Sequence, residues 1–163
     1  MGFRISLLLW TMTLALATCA GGGMLERVPS EQSRARDALQ SYFDALHAGD
    51  FSLAAGFTGG GLDVLADMNP TIADTDAAAL LQAACTSNGF ECLAVRRIVS
   101  EREIAPGTYR FEVEFENADG SLFVRGPCCG ASEAEMPSQS VFAYDVVGSG
   151  EAFKVQQLPV YVP

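Results

Sequence analysis

Five cysteines carry the most specific chemistry in this 163-residue chain. Cys85 and Cys92 bracket Thr86-Ser87-Asn88-Gly89-Phe90-Glu91, a turn-rich stretch that a disulfide could close. Cys128 and Cys129 are adjacent within Gly126-Pro127-Cys128-Cys129-Gly130, and Cys19 stands apart near the N-terminus. Doubled C-x-x-C spacing of a structural zinc site is missing. His47 is the single histidine, so a metal would find no histidine pair; no metal or other cofactor is expected. No G-x-S-x-G elbow supplies a nucleophile for an Asp-His pair, and His47 reads as a structural or surface residue complementing a helix dipole. Arg96 and Arg97 offer a different chemistry. Successive strand residues face opposite sides, so one of the two should point towards the covered face, where it must pair or line a wet, anion-binding pocket. The plainer alternative is an arginine at the sheet end whose head reaches water. The outward arginine can pair with Glu114 or Glu116.

The elements that position these residues follow from periodicity. Ser30 or Ser33 can cap a helix to about Ala48, with Ala35, Ala38, Leu39, Tyr42, Phe43 and Leu46 on one stripe and Gly49 as its stop. Asp50 caps a second helix from Phe51, broken at Gly59-Gly60-Gly61; Leu62 to Met68 is ambiguous. Asp74 or Thr75 caps a third helix, Asp76 to about Thr86. From Cys92 the period becomes two: Tyr109, Phe111, Val113 and Phe115 alternate with Arg110, Glu112, Glu114 and Glu116. Leu93 to Glu103 should flank that strand through a turn at Pro106-Gly107, and Ser121 to Arg125 through one at Asp119-Gly120. Residues 126–138 form a loop, followed by strands Gln139 to Val147 and Ala152 to Tyr161. Helices first and an antiparallel meander afterwards make an α+β domain, with helices covering one sheet face.

Hairpin geometry discriminates among the cysteine pairings. The two turns set Cys92 opposite roughly residue 119 and Cys128 near roughly residue 111, about 25 Å apart along one strand at ~3.3 Å per residue. A disulfide tolerates only about 7 Å between Cα atoms. Cys85–Cys92 is therefore the expected pair. Cys128 and Cys129 could form a vicinal disulfide, remain reduced, or pair between chains.

The N-terminus bears on the compartment. Arg4 precedes a short apolar run, Ile5 to Ala17, with the layout of a secretory signal and less than the ~20 residues of a membrane span. Leu16-Ala17-Thr18-Cys19 resembles the lipobox of bacterial lipoproteins, although that family prefers Gly, Ala or Ser where Thr18 stands. The resemblance implies residues 1–18 as signal peptide, Cys19 as the lipidated residue, and 19–32 as a tether containing Ala20-Gly21-Gly22-Gly23. The alternative is ordinary cleavage after Ala15-Leu16-Ala17 and secretion. Setting Cys19 aside leaves an even four cysteines, suited to an oxidising compartment. A balance of 20 acidic to 10 basic residues, net −10, with Lys154 the one lysine, argues against nucleic acid as a partner.

Ala38-Leu39-Gln40-Ser41-Tyr42-Phe43-Asp44-Ala45-Leu46-His47-Ala48-Gly49-Asp50-Phe51 is similar to the opening of the NTF2-like superfamily, and particularly to the Q-x-Y-x-x-A-L-x-A-G-D string of ketosteroid isomerases. The resemblance implies helices packed on a curved antiparallel sheet, a cone, over residues 33–163. It also implies Tyr42 as a hydrogen-bonding residue able to stabilise an enolate. The isomerases' carboxylate base has no match; Asp63 and Asp67 lie nearby without fitting the motif. The expectation is a cell-envelope lipoprotein, membrane-anchored by its lipid, whose domain binds a small ligand or an envelope protein without catalysis. Tyr42, Arg96 and Arg97 are its candidate ligand-binding residues. A Tyr42-based isomerase or dehydratase and a structural accessory of an envelope complex are the alternatives.

Overall fold

The computed structural model describes residues 29–162; the expected signal segment, Cys19 and the expected tether up to residue 28 lie outside them. Ser30 caps α1 (Glu31–Ala48) by accepting from the Ser33 N–H at 3.1 Å, and Gly49 ends it at φ 75°. That left-handed turn lets Asp50 N–H reach the Ala45 carbonyl, a closure glycine makes without Cβ strain. Residues 31 and 32, expected in the tether, are therefore helical. Asp50 caps α2 (Phe51–Phe57), and Asp76, rather than Asp74 or Thr75, caps α4 (Ala77–Ser87). Leu62–Met68, ambiguous in sequence, is a further helix, α3, with Leu65 fully buried.

The main sheet runs β2–β3–β4–β5, antiparallel throughout: Ala94–Ala105, Thr108–Glu116, Phe142–Ser149 and Ala152–Val155. A second sheet pairs β1 (Phe90–Glu91) with β6 (Val160–Tyr161). The domain is α+β. Alternation on β3 buries Tyr109, Phe111, Val113 and Phe115, and β4 and β5 add Phe142, Tyr144, Val146, Phe153 and Val155 to the same core. α1 covers this face, touching all four strands of the main sheet.

Three expectations of the meander are corrected. Ser121 to Arg125 is not a strand. The chain turns at Asn117–Ser121 and lies along β3 only as far as the Phe123 N–H, which donates to the Phe115 carbonyl at 3.0 Å. Beyond that, the β3 edge from Val113 to Thr108 belongs to β4. Ala152 to Tyr161 is likewise broken. Gln156 and Gln157 turn to the Asp145 backbone, Pro159 has no N–H for a ladder, and Val160–Tyr161 joins β1 instead. Strict alternation on β2 also fails, because register shifts fall between Val95 and Arg97, Ile98 and Ser100, and Glu103 and Ala105. Such bulges add a residue and bend the strand, and they blunt an exposed edge against pairing with other chains.

The glycine triplet does more than end α2. Gly59 N–H donates to the Val155 carbonyl at 2.8 Å, and a Cβ at Gly60 would collide with the Gln156 carbonyl. The link between α2 and α3 thus runs flush against the segment leaving β5, an approach that needs the missing side chain.

Candidate functional sites

Tyr42 stands fully buried on α1, its ring 5.0 Å from Phe43. Phe43 in turn meets Phe115 at 4.9 Å and Tyr144 at 4.8 Å, both edge-on. All four rings are buried between α1 and the sheet. Burial pushes the Tyr42 and Tyr144 phenols well above the ordinary tyrosine range, so both stay neutral. The Thr58 hydroxyl is near enough to ease the Tyr42 shift slightly. It donates to the Ala54 carbonyl at 3.1 Å, and the Tyr42 oxygen has no partner of good hydrogen-bond geometry. Asp63 and Asp67 line a different cleft, with Leu62, Ala66 and Ile72; Tyr42 does not reach it.

Arg96 and Arg97 both face solvent, which corrects the expectation of one inward arginine. The bulge between Val95 and Arg97 supplies the reason: Arg96 is the additional residue, so Val95 and Ile98 keep the inner side opposite Phe115 and Val113. Arg97 makes a bidentate pair with Glu114, at 2.7 and 3.0 Å. Arg96 donates to the Gly120 carbonyl at 2.6 Å and lies 3.9 Å from Glu116. His47 is exposed, with Nδ1 3.2 Å from the Cys92 carbonyl, a local tie between α1 and the segment entering β2.

The sheet's outer face carries a second bidentate pair, Arg110 with Asp145 at 2.7 and 2.8 Å. The Arg97 and Arg110 guanidinium groups hold the Glu114 and Asp145 carboxyls below their usual ranges. Glu114 is 8% exposed, but the Arg97 side chain that pairs with it is 65% exposed, so the pair counts as a partly solvated one. Both carboxyls ionise more readily when folded, so protonation favours the unfolded chain. Their contribution is complete above the unfolded values of about 3.9 for Asp and 4.3 for Glu. It is lost as pH falls through the lower folded values. Urea midpoints measured from neutral pH into this range should therefore decline, and less steeply for the Glu114→Gln, Asp145→Asn double variant. Equal slopes would remove these pairs from the acid response.

Cys85 and Cys92 are at disulfide distance, with Cα atoms 5.5 Å apart. Cys128 and Cys129 are both free, their sulfurs 2.9 Å apart. They lie in the wall of a cleft of about 530 Å³, with Phe123, Arg125, Met136 and Tyr161 around them. Sequence reading missed the cleft, whose walls come from the loop after β3 and from β6. Among the described residues, no cluster of three or more His, Cys, Asp or Glu could hold a metal, and no helix is long and apolar enough to cross a membrane. No protein-family model, curated protein or solved structure matches the chain.

Proposed function

We propose that the chain is a cell-envelope lipoprotein, anchored by a lipid on Cys19, whose NTF2-like α+β domain is a binding module and not a catalyst. The observation that carries the binding reading is the cleft of about 530 Å³ between the 126–138 loop and β6. Its volume suits a small ligand, and its mixture of aromatic walls with one arginine suits an apolar body bearing an anionic group. The close aromatic packing around Tyr42 favours this over an isomerase or dehydratase, because a catalytic phenol must share a pocket with substrate and a carboxylate. Cys85 and Cys92 at disulfide distance agree with an oxidising compartment. Lipobox and tether residues give the anchoring part of the reading, and the order of helices before antiparallel sheet gives its superfamily part.

Native mass spectrometry of the full chain, extracted from membranes in detergent, tests the binding reading. The expected spectrum contains a retained small molecule or a second polypeptide, and the small-molecule adduct falls away in Arg125→Gln. A bare monomer as the sole species would contradict it.

A further inference from the structure

We propose that Cys128 and Cys129 form a thiol–disulfide exchange site for low-molecular-weight disulfides, Cys129 being the attacking thiol and Cys128 the resolving one. Cys85 and Cys92 lie at disulfide distance, and the neighbouring sulfurs of Cys128 and Cys129 are 2.9 Å apart. That 2.9 Å separation exceeds a disulfide bond by about 0.9 Å, and closing it makes a strained eight-membered ring through the Cys128–Cys129 peptide.

The loop presents the pair in a defined way. Its base is pinned by reciprocal backbone bonds between Arg125 and Gln139, at 2.8 and 2.9 Å, and by the Arg125 guanidinium on the Gln139 side chain at 2.6 Å. Within it, the Ala131 N–H donates to the Cys128 carbonyl at 2.9 Å, closing a tight turn with Cys129 and Gly130 at its centre. Both central residues have positive φ, 60° and 86°, as in the mirror-image turns that glycine, asparagine and aspartate usually supply. Among the described residues, Cys129 is the one non-glycine residue in that region. Backbone held in a sparsely populated region often marks a functional position.

Roles follow from exposure and charge. Cys129 is exposed and Cys128 half-buried, so an incoming disulfide meets Cys129 first. Contact with Cys129 pushes the Cys128 thiol up, which disfavours Cys128 as the first attacker. Arg125, in the same cleft wall, supplies positive charge that attracts an anionic probe such as oxidised glutathione. The Cys129 thiolate attacks one glutathione sulfur, forming a mixed disulfide and releasing one glutathione thiolate. Cys128 then gives its proton to solvent and attacks the Cys129 sulfur. The Cys128–Cys129 bond forms and the second glutathione leaves. Two cysteine thiols are oxidised and one glutathione disulfide is reduced to two thiols, the protons passing through solvent.

The inference does not depend on the lipid anchor or on a ligand in the cleft. Its test incubates the full chain, with Cys128 and Cys129 reduced, in oxidised glutathione. Samples are trapped with a thiol alkylator and mapped by mass. A transient adduct on Cys129 is expected, followed by loss of two hydrogens with no adduct. Cys128→Ser should accumulate a stable adduct on Cys129, and Cys129→Ser should react several-fold more slowly. The proposal is overturned if both thiols stay alkylatable, if the unaltered chain stops at the adduct, or if the two variants react equally fast.

Discussion

Phe43→Ala should lower the free energy of unfolding by about 3–5 kcal/mol, the range for removing a buried aromatic ring from a packed core. Phe43 is 1% exposed and meets three other rings within 5.0 Å, so truncation removes α1's central contact with β3 and β4. Edge-on aromatic contacts add to burial alone, and rigid neighbours on two strands limit collapse into the space left behind. Tyr42→Phe provides the contrast. It keeps the ring and removes a hydroxyl that is buried without a good partner. A buried unsatisfied polar group costs about 1–3 kcal/mol, so Tyr42→Phe should equal or exceed the unaltered chain in stability. Urea unfolding of both variants checks the pair. A mild Phe43→Ala effect would mean a loosely filled interior, and a strongly destabilised Tyr42→Phe would mean a hydrogen bond essential to the fold.

Loss of the Cys85–Cys92 link should cost about 2.5 kcal/mol on the chain-entropy relation, given a sequence separation of 7. The two residues join the end of α4 to the segment between β1 and β2, and both pack against the core. Without the link, that segment gains freedom in the unfolded chain and the α4 terminus loses its tether. Unfolding of the Cys85→Ser, Cys92→Ser double variant measures the effect. The corresponding change at Cys128 and Cys129, on a surface loop, should stay within about 0.5 kcal/mol. Equal losses from the two double variants would contradict this division of labour.

Local signals were strong where one element decides its own shape. The apolar stripe from Ala35 to Leu46, with Ser30 before it and Gly49 after, marks α1 because cap and periodicity agree. Pro106-Gly107 marks the β2–β3 turn; Cys85 and Cys92 are at disulfide distance as expected, although the hairpin that set Cys128 near residue 111 does not form. The misses share a different cause. β4 displaces Ser121 to Arg125 from the β3 edge through a pairing some thirty residues away, Val113 with Phe142, which no nearby residue announces. Bulges in β2 turn both Arg96 and Arg97 outward, although an alternating pattern cannot register an added residue. α3 spans only two turns, too short for its period to stand out. For the site, the paired cysteines were visible as unusual neighbours. The cleft around them was not, since Tyr161 arrives only through the β1–β6 pairing. Tyr42 was visible as a resemblance; its burial against Phe43 was visible in the apolar stripe of α1.

Anchoring through Cys19 is the claim on which the cellular placement rests, and the intact mass of membrane-extracted protein, before and after reduction, tests it most directly. The expected species begins at Cys19, carries a diacylglyceryl group, and gains two hydrogens when Cys85–Cys92 is reduced, with two more if Cys128–Cys129 has closed. A chain that retains Met1, or one cleaved after Ala17 without lipid, would contradict it.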